Sequence, residues 1–84
     1  MPNEPRIAVI GLGYVGLPLA VALARHYPVV GYDIDQERIA ELQNGTDRTR
    51  EVPAEKLKKC RARFSDDPDH IGDCDVHILS LIHI

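Results

Sequence analysis

The stretch "IAVIGLGYVGLPLA", residues 7–20, sets Gly11, Gly13 and Gly16 at uneven spacing between two apolar runs. Glycine is entropically costly where a strand ends and a helix begins, so its repeated use there needs a physical reason. Ile7 to Ile10 is continuously apolar, which suits a strand buried on both faces of a parallel sheet. Val15, Leu19, Ala22 and Leu23 then recur at helical spacing and predict a helix ending near His26 and Tyr27. Pro18 fixes where that helix begins. Proline is harmless only in the first turn, whose N–H groups have no intrahelical partner. The helix therefore has to start near Tyr14 or Val15, with its N-terminus on the glycine loop.

The rest of the chain continues the alternation. Val29, Val30 and Tyr32 predict a second strand that ends at Asp33. Asp35 is placed to cap the next helix, with Glu37 in its first turn at the positive end of the dipole. Ile39 and Leu42 form its buried side, and Asn44-Gly45 stops it. "TDRTREV" reads as loop, and Pro53 opens a short polar helix through Lys59. Arg63-Phe64 reads as a brief strand, Asp67-Pro68 as the start of one helical turn closed by Gly72, and Val76 to Ile84 as a last apolar run. Strands alternating with helices imply a parallel sheet. The expected fold class is α/β, a Rossmann-type parallel sheet with flanking helices, four strands in spatial order 3-2-1-4. At 84 residues the chain forms one domain, about half of a doubly wound fold.

That context gives each glycine a purpose. Gly11 permits the tight turn out of the strand. Gly13 presents bare backbone to a pyrophosphate, and Gly16 lets the helix lie close on the sheet. Free N–H groups and the helix dipole point at the phosphates. Asp33, 17 positions beyond Gly16, is placed to accept hydrogen bonds from the adenosine ribose hydroxyls. It also repels a 2′-phosphate: two like charges ~4 Å apart cost about 1 kcal/mol in water and ~4 at an effective dielectric of 20. NAD is therefore expected over NADP. Arg38 is the competing cation for a 2′-phosphate. It lies one turn into the helix, farther from the sugar than Asp33, and is expected to flank the adenine or ribose instead.

The net charge is −3, which argues against nucleic-acid and anionic-membrane partners. No apolar run approaches the roughly 20 residues of a membrane span. "MPNEPRIAV" has no basic-then-apolar signal segment, so a cytoplasmic location is expected. Cys60 and Cys74 form no CxxC pair and have no histidines at metal-ligand spacing, so free thiols and no metal site are expected.

The stretches "IAVIGLGYVGLPLA" and "VVGYDIDQERIAELQNGTDRTREV" resemble the start of the UDP-glucose/GDP-mannose dehydrogenase family. "NGTDRTREV" is similar to the branch acting on UDP-N-acetylhexosamines, the UDP-N-acetyl-D-glucosamine/galactosamine 6-dehydrogenases of polysaccharide synthesis. The resemblance runs from about Arg6 to Leu81. It implies two successive NAD-dependent oxidations that take the C6 hydroxyl of a UDP-sugar to a carboxylate, with a cysteine thiolate holding the aldehyde-level carbon. It carries NAD contacts onto Gly11, Leu12, Gly13, Tyr14, Val15, Gly16, Asp33 and Arg38. It places the catalytic cysteine, lysine and asparagine, and the UDP-sugar site, beyond this chain, in a homo-oligomeric full-length enzyme. No catalytic residue is therefore expected here. Cys60, at a helix end, and Cys74, before a strand, are not expected to be nucleophiles. The chain departs from the pattern at its end. After "DVHIL" the family continues Thr-Val-Pro-Thr-Pro. Here Ser80 stands for the first threonine, His83 falls where the second would be, and the Pro-Thr-Pro turn is missing. The expectation is a truncated fragment with a non-native tail, catalytically inactive and marginally soluble.

Other features have plainer readings. Lys56, Lys58, Lys59, Arg61 and Arg63 form a solvated basic face rather than a phosphate patch, since no aromatics interleave. "SDDPDH" reads as capping and turn residues rather than metal ligands. His26, His70, His77 and His83 are scattered, and His77 reads as a packed or edge residue. The loop residues Asp47, Arg48 and Thr49 either approach the cofactor or a subunit interface, or serve as ordinary loop. Two other functions stay open. One is a hydroxyacid dehydrogenase with a similar "GLG" start, though that class tends to carry Met where this chain has Val15. The other is a non-catalytic dinucleotide-binding fragment.

Overall fold

The apolar run at Ile7–Ile10 becomes β1, the centre of a four-stranded parallel sheet. The computed structural model describes residues 5–13, 15–47 and 52–80. In chain order they form β1 (Ile7–Ile10), α1 (Gly16–Leu23), β2 (Val29–Tyr32), α2 (Gln36–Gln43), α3 (Ala54–Lys59), β3 (Arg63–Ser65), α4 (Asp69–Gly72) and β4 (Val76–Leu79). The strands lie in the order β3-β2-β1-β4, as the alternation requires. β1 pairs with β2 on one side, Ile7 opposite Val29, and with β4 on the other, Ile7 opposite Val76. The chain therefore leaves β1 in one direction and returns on its other side. The C-terminal ends of β1 and β4 frame a topological switch point, where open α/β sheets bind their ligands.

Parity along the strands sorts the side chains. Ile7 and Val9 share a face with Val29 and Phe64, and these join Leu17, Ala20, Ile39, Leu42 and Leu57 from the helices in one buried cluster. Ala8, of opposite parity, is also fully buried, so β1 is covered on both faces. Val52, read from sequence as loop, is buried in the same cluster.

Helix boundaries follow local chemistry. Val15 is the N-cap of α1, so Pro18 falls in the first turn, as its missing N–H demands. The helix is shorter than expected. Beyond Leu23 the bonding tightens, with Arg25 N donating to Ala22 O at 3.3 Å and His26 N to Leu23 O at 2.9 Å, and Pro28 bars continuation. α2 is closed at both ends by its own residues. Asp35 accepts from Glu37 N and Arg38 N. At the other end Gly45 N bonds Leu42 O and Thr46 N bonds Glu41 O, a Schellman motif with Gly45 at φ +81°. β4 ends at Leu79 and Ser80 follows it; residues 81–84 of the predicted apolar run, including His83, lie outside the described residues.

Candidate functional site

The glycine loop lies between the end of β1 and α1. Gly11 has φ +97°, in the left-handed region that side chains resist. A Cβ there would also stand 3.0 Å from the Ser80 carbonyl oxygen. A Cβ on Gly16 would sit 1.7 Å from the Gly11 carbonyl oxygen, which no relaxation accommodates. The chain itself needs these two glycines. Gly13 differs: it is exposed, and no described atom lies within 4 Å of where its Cβ would be. The fold does not need a glycine there, but a ligand approaching the main chain would.

Beside the loop, the Asp33 carboxylate is held by backbone on both oxygens. Leu12 N donates to Oδ2 at 3.0 Å, and Asp35 N donates to Oδ1 at 3.0 Å. Asp33 N in turn donates to Ser65 O at 3.2 Å on β3. An ionised carboxylate has about four lone-pair sites, so two remain for a vicinal diol. The side chain is half-buried, with its orientation fixed before any ligand arrives.

Leu12 buries its side chain completely, with its terminal methyls close over Gly31, where a Cβ would meet them at 3.1–3.2 Å. Its carbonyl accepts a 2.7 Å bond from Arg38 Nε. Arg38 is buried. Its Nη1 meets Asp47 Oδ1 at 2.9 Å and Glu41 Oε1 at 3.4 Å, and Nη2 is buried without a hydrogen-bond partner among the described residues. Asp47 also accepts from Val52 N at 3.0 Å. Among the described residues the first turn of α1 supplies no counter-charge to its N-terminus. Val15 offers no side-chain cap, and the first turn has no acidic residue.

Gly11, Leu12, Gly13, Val15, Gly16 and Asp33 thus gather at one end of the sheet, and Arg38 joins them through the Leu12 carbonyl. Tyr14 lies outside the described residues, as do Arg48 and Thr49. Sequence reasoning missed the Arg38–Asp47 pair, because the helical arginine reads as flanking the adenine or ribose and the loop aspartate as approaching the cofactor or an interface or as ordinary loop, each without the other. It also missed Gly31, whose Cβ would come within 2.9 Å of Phe64 Cδ1. Ser80 stands against both Gly11 and Gly16 and anchors to β1 through Ser80 N to Ile10 O at 2.9 Å.

The remaining candidates keep structural roles. Ser65 Oγ accepts from Asp67 N, and Asp67 Oδ1 accepts from Asp69 N, which is the turn duty expected of "SDDPDH". His77 Nε2 sits 2.7 Å from Ile71 O and ties β4 to α4. Cys60 and Cys74 are free thiols. Burial pushes the Cys74 thiol above its ordinary 9.0, aided by Asp75 and Asp73 and opposed by Arg6. A groove of about 650 Å³ runs between α1 and α3, lined by Val21, Pro53, Lys56 and Cys60 among others, away from the glycine loop. The lysines and arginines of the basic stretch are exposed. Among the described residues no group of metal-ligating side chains converges, and no helix is long and apolar enough to cross a membrane.

Residues 5–82 match the UDP-glucose/GDP-mannose dehydrogenase family, NAD binding domain. The chain belongs to that family. The matched domain is one that binds NAD. The chain is 42% identical over 80 residues to UDP-N-acetyl-D-glucosamine 6-dehydrogenase of Salmonella typhi, covering 94% of this chain and 19% of that protein. The enzyme of the same name from Pseudomonas aeruginosa is 47% identical over 80 residues, with the same coverage. The structure of UDP-D-ManNAc dehydrogenase from Pyrococcus horikoshii superposes with a TM-score of 0.80 at 33% identity, over 90% of this chain and 20% of that one. The chain therefore spans about a fifth of the length of the dehydrogenases it matches.

Proposed function

We propose that this chain is the NAD-binding portion of a nucleotide-sugar 6-dehydrogenase. The full-length enzyme would oxidise the C6 hydroxyl of a UDP-N-acetylhexosamine, or of UDP-glucose, to the carboxylate with two NAD. The dinucleotide's pyrophosphate rests on Gly11, Leu12, Gly13, Tyr14, Val15 and Gly16 at the N-terminus of α1. Asp33 accepts the adenosine ribose hydroxyls, and Arg38, buried behind the loop on the Leu12 carbonyl, flanks the adenine or ribose. The carbon chemistry belongs to residues outside this chain, so the chain alone oxidises no sugar. The full-length enzyme is a homo-oligomer in this reading.

The observation that supports the site most directly is Gly13. Among the described residues nothing lies within 4 Å of where its Cβ would be, and a bound pyrophosphate requires that space. Calorimetric titration of the chain with NAD and NADP tests the reading. Saturable NAD binding with much weaker NADP is expected. Gly13→Val is expected to abolish NAD binding while leaving the thermal unfolding midpoint close to the parent's. Undiminished NAD affinity in Gly13→Val would overturn the proposed site. NADH production from a UDP-sugar by the purified chain would overturn the claim that the chemistry lies elsewhere.

A further inference from the structure

The Arg38 guanidinium and the Asp33 carboxylate bond to the same residue of main chain, Leu12. Leu12 N donates to the Asp33 carboxylate, and the Leu12 carbonyl accepts from Arg38 Nε. An arginine beside the adenosine ribose is the residue type that accommodates a 2′-phosphate. Here its charge is already engaged. Asp47, whose side chain is fully buried, holds Nη1 at 2.9 Å, and Glu41 stands 3.4 Å from the same nitrogen. One guanidinium faces two carboxylates.

We propose that Asp47 is a second determinant of cofactor choice, acting by neutralising Arg38. This rests on the NAD reading above. Asp33 repels a 2′-phosphate directly, and Asp47 withholds the nearby cation that could offset that repulsion. Like-charge repulsion from one residue is weakened whenever an unpaired arginine stands close by, because the two fields oppose each other at the phosphate. Pairing Arg38 internally removes the compensation and sharpens the discrimination. Asp47 also has a structural bond, accepting from Val52 N. A purely structural role must therefore be told apart from an electrostatic one.

The ratio of affinities separates them. Asp47→Asn keeps an oxygen that can accept from Val52 N and drops the charge. The chain and this variant are titrated with NAD and with NADP at low and high salt. In Asp47→Asn the affinity for NADP relative to NAD is expected to rise about fivefold at low salt and less at high salt, as an electrostatic effect must. Glu41→Gln, on the longer and more exposed contact, is expected to raise it about twofold. If both cofactors weaken by the same factor and the ratio stays put, Asp47 is only structural and the inference is overturned. If Asp47→Asn does not fold, Glu41→Gln decides, and an unchanged ratio there overturns it. Failure of the parent chain to bind NAD would instead overturn the function proposed above, and would show before any variant is made.

Discussion

Asp33 has a structural duty and, in the proposed function, a second one that substitutions can separate from it. Its carboxylate would read the ribose, but it also satisfies the N–H of Leu12, a residue with a fully buried side chain. Asp33→Ala removes both. The Leu12 bond is part-buried, and stranding its donor costs up to about 1–3 kcal/mol, so this variant should unfold at lower denaturant concentration and also narrow the preference for NAD. Asp33→Asn keeps one acceptor. It is expected to retain more of the stability while still narrowing the NAD/NADP gap. Urea denaturation alongside cofactor titration checks this, and equal stability loss in both variants would show that the Leu12 bond carries no weight. Asp33 was legible in the sequence because it ends a strand beside the loop. Arg38's burial was not. A charged residue on an amphipathic helix defaults to solvent, and it stays inside because the Leu12 carbonyl accepts from its Nε at 2.7 Å and Asp47, nine residues on, meets its Nη1 at 2.9 Å. No periodicity links a helix position to a loop aspartate.

The two eight-residue helices end in opposite ways, and the difference follows their roles. α2 satisfies its own termini, with Asp35 at the start and the Gly45 turn at the end. α1 begins on glycine and valine with no side-chain cap, which leaves its positive end available to the pyrophosphate in the proposed function. Capping residues in α2 should therefore govern stability. Asp35→Ala is expected to cost about 1 kcal/mol. Gly45→Ala should cost a similar amount or more, roughly 1–2 kcal/mol, because φ +81° opposes a side chain. The new Cβ would also displace the flexible Lys58 stem, whose Cγ lies 2.8 Å away. Chemical unfolding of each variant measures this, and a Gly45→Ala midpoint at or above the parent's would contradict it. Elements of this kind were legible because their signals are local: a cap, a stop, an apolar run. The end of α1 was less so, because apolar spacing persists past the point where Pro28 and the tighter bonds at Ala22 and Leu23 close the helix.

Across the whole molecule, covering is uneven. β1 is buried on both faces, whereas β4 pairs only with β1 among the described residues and leaves Val76 41% and Leu79 61% exposed. The loop just before this lightly covered strand holds Cys74, which is nonetheless buried. Burial raises its thiol above the ordinary 9.0, so the folded chain keeps the proton longer than the unfolded chain does. At alkaline pH the folded state then binds more protons, and stability must fall as pH rises. The contribution is fully present below 9.0, the unfolded value, and is lost as pH climbs through the higher folded one. Unfolding under reducing conditions at about pH 8 and about pH 10 should show a decline in the parent that is smaller in Cys74→Ala, since only the parent carries the shifted thiol. The variant starts lower at neutral pH from lost packing, so the informative quantity is the slope with pH rather than either midpoint. Identical slopes would mean that Cys74 ionises as easily folded as unfolded, and that the segment entering β4 opens to solvent far more readily than its packing implies.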